Sequence, residues 1–155
     1  MSTNITKSSL SKTEHHQTKK VISTITGKVV YGNQIGRTIS FPTANLSIDT
    51  GHPFSRKGVY GVKIFLDDQQ YTGVMNVGTR PTVHEEGLKL HYEVHILNFD
   101  QMIYGQVIKV DVCFFVREEM KFSSLEQLVG QIERDLVFVQ KRFQGYRISK
   151  HVVLR

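Results

Sequence analysis

Residues 59–77 read VYGVKIFLDDQQYTGVMNV, two β-type runs separated by a turn signal. The first run, 59–66, is rich in β-branched and aromatic residues, and 71–77 returns with a similar composition. Asp67 and Asp68 stand between the runs, and aspartate is common in tight turns. The stretch therefore predicts a β-hairpin, and with it an antiparallel sheet.

The rest of the chain extends this pattern on both sides of the hairpin. Further β-type runs occupy residues 21–31, 44–48, 88–97 and 107–116. No helical periodicity lies between these runs, and many short strands separated by turns are typical of an antiparallel barrel or sandwich. We expect one mainly β domain of one of these two types.

A helix is predicted only near the C-terminus. Residues 123–126, SSLE, match a capping box in which Ser123 is the N-cap and Glu126 reaches back. An apolar stripe follows at helical spacing, formed by Leu125, Leu128, Val129, Ile132, Leu136 and Val139. Such a stripe is packing surface, which we expect to close one side of the barrel. Gly145 is the predicted end of the helix.

Composition narrows the class of protein. The 155 residues suffice for one domain with a real core. No apolar run approaches the roughly 18 residues of a membrane helix, and the polar N-terminus lacks the apolar centre of a signal peptide. Cys113 is the one cysteine, so no intrachain disulfide framework is expected. We expect a cytoplasmic monomer without membrane contact.

The positive charge is concentrated at the two ends. The chain carries a net charge of +6, yet residues 21–140 hold 11 basic and 13 acidic side chains. Residues 1–20 are polar and basic and are predicted to be a disordered tail. We divide the chain into this tail, a domain over 21–143 and a basic tail over 144–155. Basic ends around a mildly acidic body make a nucleic-acid partner unlikely, because such ends are more often only solvated.

Residues 36–45, GRTISFPTAN, are the first candidate for chemistry. Pro42 biases Phe41 towards an extended conformation. If a strand follows, Thr43 and Asn45 project to the same face, and their oxygens suit Mg²⁺. Arg37 in the preceding loop could grip a phosphate. The alternative is a turn that enters an edge strand and has no further role.

The run 88–97 places a carboxylate between two histidines. Leu90, Tyr92, Val94 and Ile96 share one face of this strand, while His91, Glu93 and His95 share the other. Glu93 could act as a general base, or the polar face could simply meet solvent. His91 and His95 lie about 13 Å apart along a strand, too far to share one ion.

Two further segments could contact a ligand. Residues 76–82, NVGTRPT, end a strand in a polar loop that could orient a ring system or form a well-bonded turn. Met120 and Phe122 could cover an aromatic ligand or cap the barrel end. The chain has no G-x-x-x-x-G-K-[ST], no G-x-S-x-G and no protein-kinase signature set, so nucleotide chemistry would need another scaffold.

Taken together and in order, the motifs resemble one known family, the bacterial riboflavin kinase domain found as the C-terminal module of bifunctional FAD synthetases. The resemblance covers residues 22–142. It is carried by GKVVYG at 27–32, GRTISFPTAN at 36–45, GVY at 58–60, NVGTRPT at 76–82, EVHIL at 93–97, YG at 104–105, REE at 117–119 and KFSSL at 121–125. Each motif alone is weak, but the ordered series is specific.

The resemblance implies a fold, a reaction and a set of site residues. The fold would be a six-stranded antiparallel Greek-key β-barrel with a C-terminal α-helix packed on it. The reaction would convert riboflavin and ATP, with Mg²⁺, into FMN and ADP, and Glu93 would be the catalytic carboxylate. Thr43 and Asn45 would hold the metal. The implied ATP-binding residues are Gly32, Arg37, Thr43, Asn45, Ile96, Asn98 and Tyr104. The implied flavin-binding residues are Asn76, Thr82, Arg117, Met120 and Phe122.

One position departs from the family pattern. The family usually has glycine where this chain has Ser40. If that position has φ > 0, serine is strained there by about 1 kcal/mol. Together with the basic ends, Ser40 motivates an alternative: a catalytically weak flavin-binding regulatory module that contacts RNA or a protein.

Overall fold

The computed structural model describes residues 20–32, 35–48, 54–81 and 88–151. Within these ranges the chain forms six strands and two helices. In chain order the elements are β1 Ser23–Val30, α1 Ile35–Thr38, β2 Ala44–Ser47, β3 Gly58–Leu66, β4 Gln69–Pro81, β5 Leu88–Ile96, β6 Val107–Arg117 and α2 Leu125–His151. The short helix α1 was not predicted.

The strands close into a barrel in the order β1-β2-β5-β4-β3-β6, and every neighbouring pair is antiparallel. Strands β3, β4 and β5 form a meander, and β6 returns beside β3, which is the Greek-key arrangement. The predicted six-stranded antiparallel Greek-key barrel with a C-terminal helix is confirmed.

The predicted hairpin joins β3 to β4. Leu66 pairs with Gln69 across a two-residue loop formed by Asp67 and Asp68. Both aspartates have positive φ, 47° and 60°, as a type I′ turn requires. This turn matches the right-handed twist of the flanking strands and therefore fixes the register of the β3–β4 hairpin.

The barrel interior is filled by alternate side chains from all six strands. Its fully buried residues include Ile25, Val62, Ile64, Met75, Val77, Val94, Ile108, Val110 and Val112. Each such side chain stabilises the fold by roughly 1.5–3 kcal/mol through removal from water. Because the interior is packed with hydrocarbon, the polar residues of the alternating strands lie on the outer surface of the barrel.

Strand β4 is longer than predicted. Residues 76–81, which were predicted to be a polar loop, continue the strand and pair with β5 up to Pro81 and Leu88. The prediction failed because the glycine and proline of NVGTRPT suggested a turn, whereas β5 supplies a full set of main-chain partners. Asn76 and Arg80 are thereby fixed on a rigid strand.

The start of α2 differs from the prediction by one residue. The main-chain N–H of Gln127 donates to Ser124 Oγ (3.2 Å), so Ser124 is the N-cap rather than Ser123. Ser123 N–H and Oγ–H both donate to Gln127 Oε1, at 3.3 and 2.8 Å. Ser124 and Gln127 therefore form half of a capping box, one residue later than predicted, while the Gln127 side chain reaches back to Ser123 instead of to the N-cap.

Helix α2 lies on the outside of the barrel, against β4 and β6. The prediction that it closes the barrel is wrong, because hydrogen-bonded strands already complete the circle. Val139 is fully buried, whereas Leu125 at the start of the predicted stripe is 54% exposed. The helix continues through Gly145 to His151, so the predicted end is wrong and the predicted boundary at residue 143 falls inside the helix.

Parts of both predicted tails lie outside the residues that the structure describes. Residues 1–19, the bulk of the predicted N-terminal tail, and 152–155 lie outside the described residues. Within the described ranges, neither helix has the length and apolarity that would be needed to cross a bilayer.

Candidate active site

Three neighbouring strands bring polar side chains together on the outer face of the barrel. Glu93 on β5 is the register partner of Asn45 on β2 and of Asn76 on β4. Directly opposed residues on antiparallel strands have Cβ atoms about 4.5–5.5 Å apart. The carboxylate therefore stands between two amides in a row that crosses three strands.

Glu93 is held by two basic groups. Its Oε1 accepts a hydrogen bond from Arg80 Nη2 and lies 2.9 Å from His91 Nε2. The hydrogen bond with His91 is the main cause that lowers the pKa of Glu93; burial opposes it, and the charges of His91 and Arg80 add to the lowering. The Glu93 side chain is only 23% exposed, so the polar face of β5 is no simple solvent-facing stripe.

The row opens into a cavity of about 350 Å³ between the barrel wall and α2. This volume lies at the lower end of the range for small-molecule sites. We call it the helix-side cavity. Its lining includes seven of the predicted site residues: Thr43, Asn45, Asn76, Glu93, Arg117, Met120 and Phe122. Leu128, Ile132 and Leu136 of α2 form an apolar wall opposite the polar row. A flat, mostly apolar ring with a polar chain would suit this combination.

Asn45 brings a buried, unpaired oxygen to the cavity. The residue is 5% exposed, and its buried Oδ1 has no hydrogen-bond partner among the residues that the structure describes. A buried unpaired carbonyl oxygen costs about 1–3 kcal/mol, which a ligand can recover. Gly32 lies directly against the Asn45 amide, where a Cβ atom would collide with it. The oxygen is hard and oriented, as a divalent cation such as Mg²⁺ prefers.

A second cavity of about 400 Å³ lies on the other side of the segment around Thr43. We call it the loop-side cavity. The predicted residues Arg37, Thr43, Ile96 and Tyr104 line it. The guanidinium of Arg37 lies 5.7 Å from the Tyr104 ring centroid, and Arg37 Nη2 contacts Met102 Sδ at 3.2 Å. Thr43 lines both cavities, so it marks the place where they meet.

Two of the described site residues, Gly32 and Asn98, line neither cavity, although Gly32 lies against the Asn45 amide. Asn98 lies in the turn after β5, is exposed and has a φ of 54°, a conformation that asparagine tolerates. Thr82 lies outside the described residues.

Comparisons with known proteins identify the family of this chain. The family model described as "Flavokinase: Riboflavin kinase" matches residues 20–143. The chain belongs to the riboflavin kinase family. It is 46% identical over 114 residues to a bifunctional riboflavin kinase/FMN adenylyltransferase of Haemophilus influenzae, covering 72% of this chain and 36% of that protein. It is 43% identical over 120 residues to the RNA-binding riboflavin kinase RibR of Bacillus subtilis, covering 77% of this chain and 51% of that protein.

A solved structure gives the same fold. The riboflavin kinase of Trypanosoma brucei aligns with a TM-score of 0.55 and 26% identity, over 78% of this chain and 79% of that one. The chain spans between about a third and a half of the two curated relatives named above. The resemblance to the riboflavin kinase family that the ordered motifs indicated is confirmed.

Arg117, which the resemblance predicts to contact the flavin, forms an ion pair with Asp135 of α2. Its Nε donates to both carboxylate oxygens of Asp135 at 3.0 Å, and Nη2 lies 2.9 Å from Oδ2. Asp135 also accepts from Gln131 Nε2 at 2.9 Å and is 5% exposed. The pair fastens the helix to the end of β6 and closes part of the cavity wall.

Sequence reasoning missed Asp135. The signal was present: Asp135 lies three residues after Ile132 and four before Val139, on the apolar stripe itself. A carboxylate in that position must find a buried partner, and the arginine just after the buried part of β6 was the candidate.

Ser40, which departs from the family pattern, occupies a left-handed position. It has a φ of 65° and stands just after α1. Phe41 N–H donates to Gly36 O (2.7 Å), and Ser40 N–H donates to Arg37 O (3.2 Å). These two bonds form a Schellman motif with Ser40 at the residue that glycine usually occupies. The condition for strain at Ser40, a positive φ, is met.

We therefore predict that Ser40→Gly raises the free energy of unfolding by about 1 kcal/mol, because glycine adopts this conformation without a Cβ clash. Chemical denaturation measures it. Ser47→Gly is the matched control: Ser47 is an exposed residue of β2, and glycine inside a strand should destabilise by roughly 0.5–1 kcal/mol. If Ser40→Gly lowered the free energy of unfolding by as much as Ser47→Gly does, Ser40 would not be strained.

Proposed function

We propose that this chain is an ATP-dependent riboflavin kinase, which transfers the γ-phosphate of ATP to the 5′-hydroxyl of riboflavin and gives FMN and ADP. One observation carries the proposal. Glu93 and Asn45 are register partners on adjoining strands where the helix-side and loop-side cavities meet at Thr43. The Glu93 carboxylate and the Asn45 amide oxygen, the proposed cation ligand, therefore lie between the two cavities. The helix-side cavity suits a ring system, and the loop-side cavity is lined by the basic Arg37.

The metal in this proposal is Mg²⁺, held by Asn45 Oδ1 and the Thr43 hydroxyl. The unpartnered, buried Asn45 oxygen supports this assignment, since hard oxygen ligands suit Mg²⁺. When bound with ATP, Mg²⁺ neutralises charge on the phosphates. Arg37, in the short helix α1 that precedes Thr43, adds positive charge on the same side.

The remaining residues position the acceptor. In the proposed complex, Glu93 accepts the hydrogen bond and then the proton of the 5′-hydroxyl. The hydrogen bond from His91 holds the pKa of Glu93 below its usual value, so the carboxylate is ionised at neutral pH and can accept a hydrogen bond. The flavin ring would lie against the apolar wall of α2, with Met120 and Phe122 over it and Asn76 at its polar edge. Phosphoryl transfer requires mainly such positioning and charge neutralisation.

The test is to incubate the purified protein with riboflavin, ATP and MgCl₂ and to separate the flavins by chromatography. We expect FMN to accumulate with one ADP formed for each FMN, and EDTA to stop its formation. Riboflavin that binds but is never phosphorylated would refute the kinase. FMN formation that continues in excess EDTA would refute the metal assignment alone.

A regulatory module is the second candidate. One observation favours it: a relative that is 43% identical is named an RNA-binding riboflavin kinase. In sequence, residues 141–155 carry five basic side chains and no acidic one, a charge that would suit a nucleic acid. The same assay separates the two ideas, because rapid turnover is incompatible with a catalytically weak module. A monomeric state stays a prediction.

A further inference from the structure

We propose that Arg80 is a positioning residue for phosphoryl transfer, which holds Glu93 through Oε1 so that Oε2 is left to accept from the substrate hydroxyl. The inference rests on the proposed kinase function. Arg80 belongs to the motif NVGTRPT at 76–82, for which the resemblance implied roles only for Asn76 and Thr82. The inference gives Arg80 a role of its own.

The path from Arg80 to Glu93 runs along β4. Arg80 pairs in register with Lys89, four positions from Glu93 on β5. Four strand positions span about 13 Å, so an arginine must extend along the sheet to make the contact. Asn76, Gly78 and Arg80 share one face of β4. Gly78 contributes no side chain to that face, and the carboxylate of Glu119 occupies the place of its Cβ.

The two contacts to Glu93 fix one oxygen. Among the described residues, Arg80 Nη2 and His91 Nε2 both contact Oε1, and they approach from two different strands. A carboxylate has two oxygens with about four acceptor sites. Two donors on Oε1 fix the rotation of the carboxylate, and Oε2 keeps its acceptor capacity for a ligand. A general base must lie about 2.6–3.2 Å from the atom whose proton it takes.

A purely structural ion pair is the competing explanation. The side chain of Arg80 is 39% exposed and that of Glu93 is 23% exposed, so solvent screens part of the attraction. Pairs of this kind contribute little to folding stability. Their effect on the orientation of a catalytic group can be much larger, because small displacements of reacting groups cost large factors in rate.

Arg80 is also the cation best placed for this role within the described part of the cavity. Arg117 lines the same cavity, but its guanidinium is bound by both oxygens of Asp135. Glu119 faces the row from the segment after β6, and its negative charge would repel Glu93 rather than hold it. The assignment therefore falls on Arg80.

The experiment compares the wild-type protein with R80M, R80K and R142M. Arg142 on α2 is the matched control, because its guanidinium lies 4.6 Å from the ring of Phe114 on β6 and it lines neither cavity. We measure kcat and KM for riboflavin, the Kd of riboflavin from quenching of its fluorescence, and the unfolding midpoint. We expect R80M to lower kcat by roughly 10-fold to 100-fold with little change in Kd, and R80K to recover part of the loss. R142M should match the wild type.

Three outcomes would overturn the inference. The first is an unchanged kcat in R80M. The second is a weaker Kd with unchanged kcat, which would make Arg80 a binding residue. The third is a loss of kcat that follows a fall in the unfolding midpoint and is equal in R80M and R80K, which would make it structural. Wild-type protein that forms no FMN would refute the kinase proposal and the inference together, whereas active wild type with active R80M refutes the inference alone.

Discussion

Replacing Glu93 by glutamine is expected to lower kcat for FMN formation by about 10²-fold to 10⁴-fold, the usual contribution of a positioned base. Glutamine has the same shape and can still accept from Arg80 and His91, so the row with Asn45 and Asn76 should persist. An amide cannot take up the proton of the 5′-hydroxyl. Riboflavin affinity should therefore change little, and the loss should appear in turnover.

The matched control for this variant is Glu118→Gln. Glu118 is an exposed carboxylate in an ion pair with Arg56, and it lines neither cavity. We expect its kcat and KM to equal those of the wild type. Steady-state FMN formation and riboflavin fluorescence titration give both quantities. A Glu93→Gln protein whose kcat stays within about twofold of wild type would exclude a base role for Glu93, since even the weakest general bases contribute more.

The barrel was predictable because its strands alternate clearly and its turns are local. Asp67 and Asp68 define the hairpin by themselves, and the buried face of β5 could be read from the period of two. What the sequence could not give is the pairing of distant strands. Asn45 and Glu93 are 48 positions apart, and nothing in either segment specifies that they oppose each other. The resemblance only placed both residues in one site, and the strand register shows how they come together.

Three local signals failed, each for its own physical reason. Gly145 costs about 1 kcal/mol inside a helix, and the helix nevertheless continues to His151. The glycine and proline of residues 76–82 suggested a loop, but pairing with β5 keeps 76–81 extended. The helix α1 has only four residues, too few for a periodic pattern. Ser40 is the opposite case, because one unusual residue correctly marked a strained position.

Replacing Asp135 by alanine is expected to lower the free energy of unfolding by about 3 kcal/mol. The lower end of the range for broken buried pairs applies, because Arg117 keeps 19% of its side chain exposed and can be partly hydrated. The total free energy of unfolding of a native domain is only about 5–15 kcal/mol, so this loss is large. Since Arg117 and α2 line the helix-side cavity, riboflavin binding should weaken as well.

Two comparisons make the Asp135 prediction specific. Glu133→Gln changes an exposed acid on the same helix and should shift stability by no more than about 0.5 kcal/mol. The double variant Arg117→Met with Asp135→Ala should be more stable than Asp135→Ala alone, because it leaves no buried cation without a partner. Urea denaturation of the wild type, Glu133→Gln, Asp135→Ala, Arg117→Met and the double variant measures both relations. If the double variant loses the sum of the two single losses, the pair is not coupled, and α2 is held on the barrel by its apolar contacts around Val139 instead.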